Sequence, residues 1–332
     1  MRAYLALSAT LLALGTGGVA VAASVVRTID APDGGWDYAR VDPSSRRLFV
    51  ARGDSVTVVD LTGKTPVRSI GRIAHGHSVL PIPNSRYLLV TSGKDATVRI
   101  LDSITGAEQS RILVGADPDA AVIDAGGTYA YTMNAEAGTI SKIDIATHSV
   151  KATITLKPGL EYAALAPDGT LYVNNEDAND LTAVNTHAEH VSTTIPLTGC
   201  EGPSGLAYDA FNRRLIAACA NGKAAIVDAD TKTLVKLVAI GDGPDAVLID
   251  PQRRRAYIPC GKSGELDVLS LDGQDGPIVT GHIKTEVGAR TGAIDAADGM
   301  VYLPTGRFAP PAAGEKRGAL IPGSFHILAV RP

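Results

Sequence analysis

Aromatic residues are scarce in this 332-residue chain, at 5% of the sequence with one tryptophan and four phenylalanines. Proteins that bind single strands of nucleic acid stack the bases on aromatic side chains, so this scarcity removes most such platforms. The chain also has no excess of basic residues, because its formal net charge is −4 and the charges are scattered. Such a surface repels phosphate backbones, and nucleic acid is therefore not expected as a partner.

Motifs for covalent catalysis and for common cofactors are missing as well. The sequence has no G-x-S-x-G, no H-E-x-x-H and no glycine-rich phosphate loop, which excludes the usual hydrolase, zinc-protease and nucleotide-binding signatures. It has three cysteines but no C-x-x-C or C-x-x-C-H. Neither covalent haem attachment nor a thioredoxin-like centre is indicated, and the sequence identifies no cofactor.

The N-terminus has the pattern of an export signal. Arg2 precedes an apolar run from Leu5 to Leu14, and small residues follow up to Ala22. A charged start, a short apolar segment and an A-x-A site are typical of a secretory signal peptide, so we predict that residues 1–22 are removed. No later apolar stretch reaches about 18 residues, which predicts no membrane span. The mature chain, residues 23–332, is expected to be periplasmic or secreted.

The mature chain repeats one segment seven times. VDPSSRRLFV, which begins at Val41, recurs as PIPNSRYLLV, IDAGGTYAYT, LAPDGTLYV, YDAFNRRLIA, IDPQRRRAYI and IDAADGMVYL. Successive copies are 40 to 45 residues apart. The equivalent positions, used below as the repeat anchors, are Pro43, Pro83, Ala125, Pro167, Ala210, Pro251 and Ala296. A repeat of about 40 residues built from short strands is a β-propeller blade. The sequence therefore predicts an all-β, seven-bladed β-propeller in a single domain.

The two ends of the chain are predicted to share a blade. The outermost strands read PVRSI, VKATI, VSTTI and LVKLV, with the alternation of half-buried strands. VVRTI at Val25–Ile29 has the same pattern but precedes the first blade, while the last unit ends at FHILAV. We predict that the N-terminal strand completes the C-terminal blade and leaves no open edge. A long insertion between Gly306 and Ser324 is expected near the channel mouth.

A polar residue lies six positions before every repeat anchor, at the start of each predicted inner strand. These seven residues, called the ring below, are Asp37, His77, Asp119, Glu161, Ser204, Asp245 and Arg290. Because inner strands line the channel of a propeller, we predict that the ring surrounds the channel mouth. The inner hairpins are expected to place a second polar layer opposite the ring. Its members would be Arg52, Ser92, Asn134, Asn175, Cys219, Cys260 and Thr305.

The ring has two interpretations. Four carboxylates, one guanidinium and one imidazole in a single annulus are costly unless water, a cation or a polar ligand satisfies them. The mouth is therefore either simply hydrated or a binding site. As a metal site, Asp119, Glu161 and Asp245 with Asn134 and Asn175 suit a hard cation such as Ca²⁺. Zinc is less favoured, because His77 is far around the ring from the cysteines and His75 is typical of a solvated loop residue.

The cysteines allow a prediction from symmetry. Cys219 and Cys260 occupy equivalent positions on neighbouring blades. At a radius of about 11 Å they would lie about 10 Å apart, which is beyond the reach of a disulfide. Cys200 lies in the loop that enters the same blade as Cys219 and is the better-placed partner, while three reduced cysteines remain the alternative.

The repeats resemble those of the YVTN-type β-propeller family, exported proteins often called YncE-like. The resemblance is carried by GADPDAAVIDAGGTYAYTMNAEAGTISKIDIATHSVKATI and GDGPDAVLIDPQRRRAYIP, with further echoes in GGWDYARVDPSSRRLFV and PGSFHILAV. It implies a propeller over the whole mature chain, whereas related propellers serve as enzymes, redox subunits and scaffolds. Where family copies spell Y-V-T-N, this chain has YTMN, YVNN and YIPC.

Together these patterns favour an exported binding protein or scaffold, monomeric by default. It would bind a small molecule, a cation or a protein partner at the channel mouth without chemistry. One alternative is a lactonase or lyase, in which Glu161 or His77 moves a proton while Arg290 holds a substrate carboxylate. A second alternative is an accessory subunit of a periplasmic redox enzyme, which the missing haem and quinone motifs make less favoured.

Overall fold

The computed structural model describes residues 23–273, 276–311 and 318–332. The predicted signal peptide, residues 1–22, lies outside them. The described chain forms seven four-stranded antiparallel sheets and a 3-10 turn at Gly93–Asp95. Within these ranges no helix is long and apolar enough to cross a membrane.

Each sheet is one blade, numbered 1 to 7 along the chain, and β1 (Ser24–Asp30) belongs to blade 7. The strands of each blade are given from the innermost to the outermost. Blade 1 consists of β2 (Trp36–Asp42), β3 (Arg47–Arg52), β4 (Val56–Asp60) and β5 (Arg68–Ile70), and blade 2 of β6 (Val79–Pro81), β7 (Tyr87–Ser92), β8 (Thr97–Asp102) and β9 (Glu108–Leu113). Blade 3 consists of β10 (Pro118–Ile123), β11 (Tyr129–Asn134), β12 (Thr139–Asp144) and β13 (Ser149–Thr155), and blade 4 of β14 (Leu160–Leu165), β15 (Thr170–Asn175), β16 (Asp180–Asn185) and β17 (His190–Pro196). Blade 5 consists of β18 (Pro203–Asp209), β19 (Arg214–Cys219), β20 (Lys223–Asp228) and β21 (Thr233–Ala239). Blade 6 consists of β22 (Leu248–Asp250), β23 (Arg255–Cys260), β24 (Glu265–Ser270) and β25 (Ile278–Lys284). Blade 7 consists of β26 (Ala293–Ile294), β27 (Val301–Thr305) and β28 (His326–Arg331), with β1 as its outermost strand.

The sheets form a closed ring, a seven-bladed β-propeller. Each inner strand contacts the inner strands of the two neighbouring blades, and contact between β26 and β2 joins the last blade to the first. β1 pairs antiparallel with β28, with Ser24 opposite Arg331 and Asp30 opposite His326. The prediction that the N-terminal strand completes the C-terminal blade is confirmed. The outer edge of β28 is thereby covered.

The hydrophobic core lies between blades. Each of its seven clusters of buried residues combines side chains from two adjacent blades, and Tyr38 of blade 1 joins the cluster of blades 3 and 4. β3 shows why, because successive side chains of a strand point to opposite faces. Leu48 and Val50 pack in the cluster shared with blade 7, whereas Phe49 and Ala51 pack in the cluster shared with blade 2. A blade therefore buries its two faces only when both neighbours are present.

Aspartate side chains fix many of the hairpin turns. After β8, one carboxylate oxygen of Asp102 accepts hydrogen bonds from the backbone N–H groups of Ile104 and Thr105, each at 2.9 Å. After β20, Asp228 accepts a bond of the same length from the N–H of Thr231. Such Asx turns offer the backbone a compact alternative to continued pairing. The turns between the third and fourth strands of these blades thus follow directly from the local sequence.

The cysteines pair as symmetry predicted. Cys200 and Cys219 form a disulfide with a Cα–Cα distance of 5.4 Å, within the usual range. Cys260 is free and buried. Burial and the nearby Asp267 carboxylate raise the pKa of its thiol, which keeps it in the unreactive thiol form.

The insertion of the last blade packs beside the channel mouth. Residues 312–317 of this insertion lie outside the described residues, but its two ends meet at a bridge between Phe308 and Leu320. The ring of Phe308 lies 5.6 Å from that of Trp36. Because Trp36 immediately precedes Asp37 of the polar ring, the base of the insertion adjoins the mouth.

Candidate functional site

The polar ring residues lie at the mouth end of the inner strands, in most blades at a β-bulge. The pairing register shifts between Trp36 and Ala39 in blade 1 and between Pro118 and Ala120 in blade 3. Blades 4 and 5 have equivalent shifts around Glu161 and Ser204. A bulge inserts one residue and re-aims its side chain. This local irregularity turns the ring side chains toward the channel.

The predicted second polar layer is wrong for the same reason. With one extra residue on the inner strand, Arg52 lies opposite Trp36 rather than Asp37. Its guanidinium donates 2.8 Å hydrogen bonds to the carbonyls of Gly35 and Pro32 and lies over the ring of Phe325. The Arg52 side chain therefore lies between blades 7 and 1 and holds the loop that leads into β2. Ser92, Asn175 and Thr305 likewise donate hydrogen bonds to carbonyls of the loops that lead into their inner strands, those of Ala74, Pro158 and Val287.

His77 is the centre of the ring's most tightly connected group. Its Nδ1 lies 2.8 Å from a carboxylate oxygen of Asp37 and 2.9 Å from one of Asp119, so three consecutive blades are joined. The three side chains expose only 12%, 16% and 15% of their surface, respectively. Burial opposes a charge on the imidazole, but the hydrogen bonds that the imidazole donates to Asp119 and Asp37 outweigh it and raise the pKa of His77 to about 10. At neutral pH His77 is an imidazolium.

Arg290 supplies the second cation of the ring. Its Nε donates a 2.6 Å hydrogen bond to Asp245, and its Nη2 lies 3.9 Å from Asp37. Ser204 lies beside Asp245 and donates a 3.2 Å hydrogen bond to the carbonyl of Pro244. Burial raises the pKa of Asp37 against the opposing effects of His77 and Arg290. Asp37 is thus shared between both cations.

Glu161 has no such partner. The described residues provide it with neither a hydrogen bond nor an ion pair. Burial and the neighbouring carboxylates of Asp119 and Asp245 raise its pKa well above the ordinary value. Glu176, at the end of the adjacent hairpin, also has a raised pKa because of burial and Asp177. The carboxyl groups of Asp119, Glu161 and Glu176 therefore lie close together on the side of the mouth formed by blades 3 and 4, called the acidic pocket below.

Two tyrosines lie across the channel beneath the ring. Tyr38 of blade 1 packs against Tyr162 of blade 4, with ring centroids 4.6 Å apart, and Arg40 donates a hydrogen bond to the Tyr162 hydroxyl. Burial and the carboxylates of Asp245 and Glu161 raise the pKa of Tyr38, which places its hydroxyl close to the acidic pocket. The tyrosines form the floor of the mouth.

On the other side of this floor the channel widens into a cavity of about 740 Å³. Its wall comes from the second halves of the inner strands and is mostly apolar, with Leu80, Val122 and Leu206 among its residues. Arg40 and Tyr162 contribute polar atoms at its inner end. The two ends of the channel thus differ in chemistry.

Sequence reasoning interpreted His75 as a solvated loop residue and missed Asp117, but both side chains lie at the mouth. His75 Nδ1 lies 2.9 Å from His77 Nε2, and a carboxylate oxygen of Asp117 lies 3.7 Å from the same nitrogen. Burial, His77 and Lys94 lower the pKa of His75. The overlooked signal was the position two residues before the ring, where these two residues replace glycine.

Metal-ligating side chains come together in three places among the described residues. The groups whose ligand atoms all lie within 4.8 Å of one another are His75 with His77 and Asp117, Asp37 with His77 and Asp119, and Glu265 with Asp267 and His282. Glu161 belongs to none of these groups, nor does Asp245. The three carboxylates considered for Ca²⁺ thus do not form such a group on their own.

Solved structures share the fold. Kuenenia stuttgartiensis hydrazine synthase is 16% identical with a TM-score of 0.71, over 81% of this chain and 92% of that chain. A chain of the mitotic checkpoint complex is 14% identical with a TM-score of 0.75, over 100% of this chain and 99% of that chain. Identities this low show the propeller fold alone. Neither a protein-family model nor a curated protein sequence matches the chain.

Proposed function

We propose that this chain is an exported binding protein whose acidic pocket holds the ammonium group of a small organic cation. The observation that carries the proposal is Glu161, a partly buried carboxylate with no counter-charge among the described residues. A carboxylate that is partly removed from water and has no partner is destabilised. A bound ammonium group would remove that cost and would donate up to three hydrogen bonds.

The charge balance of the ring supports a cation. Four carboxylates face one guanidinium and one imidazolium, so the ring carries a net charge of 2 − 4 = −2 when every group is ionised. The two cations are already engaged, because Arg290 contacts Asp245 and Asp37 and His77 contacts Asp37 and Asp119. The uncompensated charge is therefore centred on Glu161.

The spacing of the carboxylates favours an organic cation over a bare metal ion. Asp119, Glu161 and Asp245 do not form a group with ligand atoms within 4.8 Å of one another, whereas an ammonium group reaches separated acceptors through its hydrogen bonds. Tyr162, which packs against Tyr38 beneath the pocket and is only partly buried, offers an aromatic surface for the alkyl part of the ligand.

His77 gives the catalytic alternative little support, which leaves Glu161, whose pKa is raised, as the residue that would move the proton. A residue that moves a proton at neutral pH needs a pKa near that pH, but the pKa of His77 is raised to about 10. The imidazolium is also occupied by two carboxylates. His77 serves better as a fixed positive charge than as a base.

A thermal-shift titration of the mature protein tests the proposal. Small primary amines should raise the melting temperature, whereas neutral analogues of the same shape should not. At a ligand concentration of 100 times Kd the gain is about 2.7 kcal/mol, which corresponds to roughly 5 °C for a domain of this size. Ca²⁺ is titrated in parallel, and a response to Ca²⁺ alone would contradict the organic ligand.

Three variants sharpen the test. Glu161→Gln should abolish the response to amines, because it removes the unpaired charge. Arg290→Gln should strengthen it, because a competing cation is lost. Glu136→Gln changes an exposed glutamate and is the matched control, which should respond like the wild type. Equal responses from Glu161→Gln and the control would refute binding in the acidic pocket and leave the mouth simply hydrated.

A further inference from the structure

Glycine occupies the position two residues before the ring in five of the seven blades. These residues are Gly35, Gly159, Gly202, Gly243 and Gly288. The last four have positive φ values between 58° and 101°, a left-handed conformation in which a side chain approaches the backbone closely. The two exceptions are on neighbouring blades. They are His75 and Asp117, with φ values of 65° and 54°.

Both exceptional side chains approach the same atom. His75 Nδ1 and an Asp117 carboxylate oxygen lie 2.9 Å and 3.7 Å from His77 Nε2. A residue kept in an unfavourable backbone conformation, where related positions use glycine, is typical of functional sites. Here two such residues bring their polar atoms to one point.

The environment of His77 orients its Nε2 toward a further ligand, and a metal ion bound there would displace the proton that this nitrogen carries in the imidazolium. The other ring nitrogen, Nδ1, is held by Asp37 and Asp119. Metal-binding histidines usually have such a carboxylate on the second nitrogen, which fixes the ring orientation and makes the free nitrogen a stronger ligand. The carboxylates thus direct Nε2 toward His75 and Asp117.

The backbone around the cluster leaves room for little else. A Cβ atom at Gly93 would lie only 2.6 Å from the Asp117 oxygen and 3.1 Å from His77 Nε2. The N–H of Gly93 donates a 2.8 Å hydrogen bond to the carbonyl of His75, whose own N–H donates a 2.7 Å bond to Gly53. The loop that carries His75 is therefore held on both sides.

We propose that His75 Nδ1, His77 Nε2 and an Asp117 carboxylate oxygen bind one divalent transition-metal ion, such as Zn²⁺, at the rim of the mouth. In tetrahedral sites with bonds of about 2.0–2.2 Å the ligand atoms lie roughly 3.3 Å apart. The observed 2.9 Å and 3.7 Å bracket this value. Two imidazoles and one carboxylate suit Zn²⁺, Cu²⁺ or Ni²⁺ rather than Ca²⁺.

Three protein ligands leave a fourth position for water or a ligand atom. His75 is exposed, so the ion would face solvent on the rim of the mouth. The site does not use Glu161 and is independent of the proposed ammonium pocket.

Zinc binding to the chelator-treated, untagged mature protein tests this site by competition with a chromophoric chelator. We expect one Zn²⁺ per chain, and Co²⁺ as a second probe should acquire the visible absorption of a four-coordinate complex. His75→Gly should weaken zinc binding on the order of 100-fold or more, since even changes to groups behind the ligands cost about 10–100-fold. Asp119→Asn changes a group behind the ligands and should weaken zinc binding by only about 10–100-fold.

His75→Gly is a favourable variant because glycine already occupies the equivalent left-handed position in four blades. Its metal-free melting temperature should equal or exceed that of the wild type. His148→Gly is the matched control, because His148 is exposed and also has a positive φ, 51°. It should bind zinc like the wild type. Asp117→Gly provides a second test of the same kind.

Several results would overturn the site. One is no saturable binding at zinc concentrations up to about 10 μM, which would leave a hydrogen bond between the two imidazoles as the only interaction. Another is zinc binding that survives both His75→Gly and Asp117→Gly. Glu161→Gln should keep zinc binding while it loses the response to amines, so the two proposals can fail separately.

Discussion

Replacing Glu161 by glutamine should stabilise the ligand-free protein at neutral and alkaline pH but not at acidic pH. The pKa of Glu161 is raised above its ordinary value by burial and by Asp119 and Asp245. The folded state therefore binds this proton more tightly than the unfolded state does. Stability must then fall as the pH rises from the ordinary pKa of 4.5 through the raised folded-state value.

The size of the effect follows from the linkage between proton binding and folding. Each unit by which the folded-state pKa exceeds the unfolded value costs about 1.4 kcal/mol once the pH is above both values. We expect the glutamine variant to gain on the order of 1 kcal/mol or more at pH 8, which corresponds to about 2 °C in melting temperature. At pH 4 the wild-type carboxyl is protonated, so the two proteins should be nearly equal.

Urea unfolding of both proteins between pH 4 and pH 8.5 measures this difference, with Glu136→Gln as the control. The wild type must first be freed of ligands, because a bound cation would reverse the sign by stabilising the charged carboxylate. A difference that stays constant with pH, or a glutamine variant less stable than the wild type at pH 8, would refute the account of Glu161 as an uncompensated carboxylate.

Three further changes have predictable effects. Removing β1 exposes β28 along its length and should lower the melting temperature by more than about 2 °C; an unchanged melting temperature would contradict the role of β1 in closing the ring. Replacing Cys200 by serine opens the disulfide to Cys219 and should cost about 3 kcal/mol in urea unfolding, an effect that a matched Cys260→Ser variant should not reproduce. His77→Asn removes a cation between two carboxylates and should cost about 3 kcal/mol at pH 7. Because the pKa of His77 is raised to about 10, that cost should be complete below pH 6.5 and disappear as the pH rises through 10, and a pH-independent loss would argue against the ion pairs.

The candidate site was only partly readable in the sequence. The alignment of the repeats located the ring, because symmetry places equivalent residues at equivalent radii. The same alignment contained His75 and Asp117, as exceptions at a position otherwise occupied by glycine. Tyr38 and Tyr162 also differ from the small residues at the equivalent position in other blades. These departures from the repeat pattern are visible in the sequence, but they do not indicate where the side chains point.

The sequence by itself determined the number of blades and the shared blade at the chain ends, and it excluded a pair between Cys219 and Cys260 but left open whether Cys200 is oxidised. Each follows from the period of the repeat and from the alternation of side chains along a strand, which are local properties. The tertiary structure alone decided which polar side chains meet. One extra residue at each bulge moved the expected second layer between blades, and left-handed turns on two blades brought His75 and Asp117 to His77. Contacts between blades depend on backbone angles that the repeat pattern does not specify.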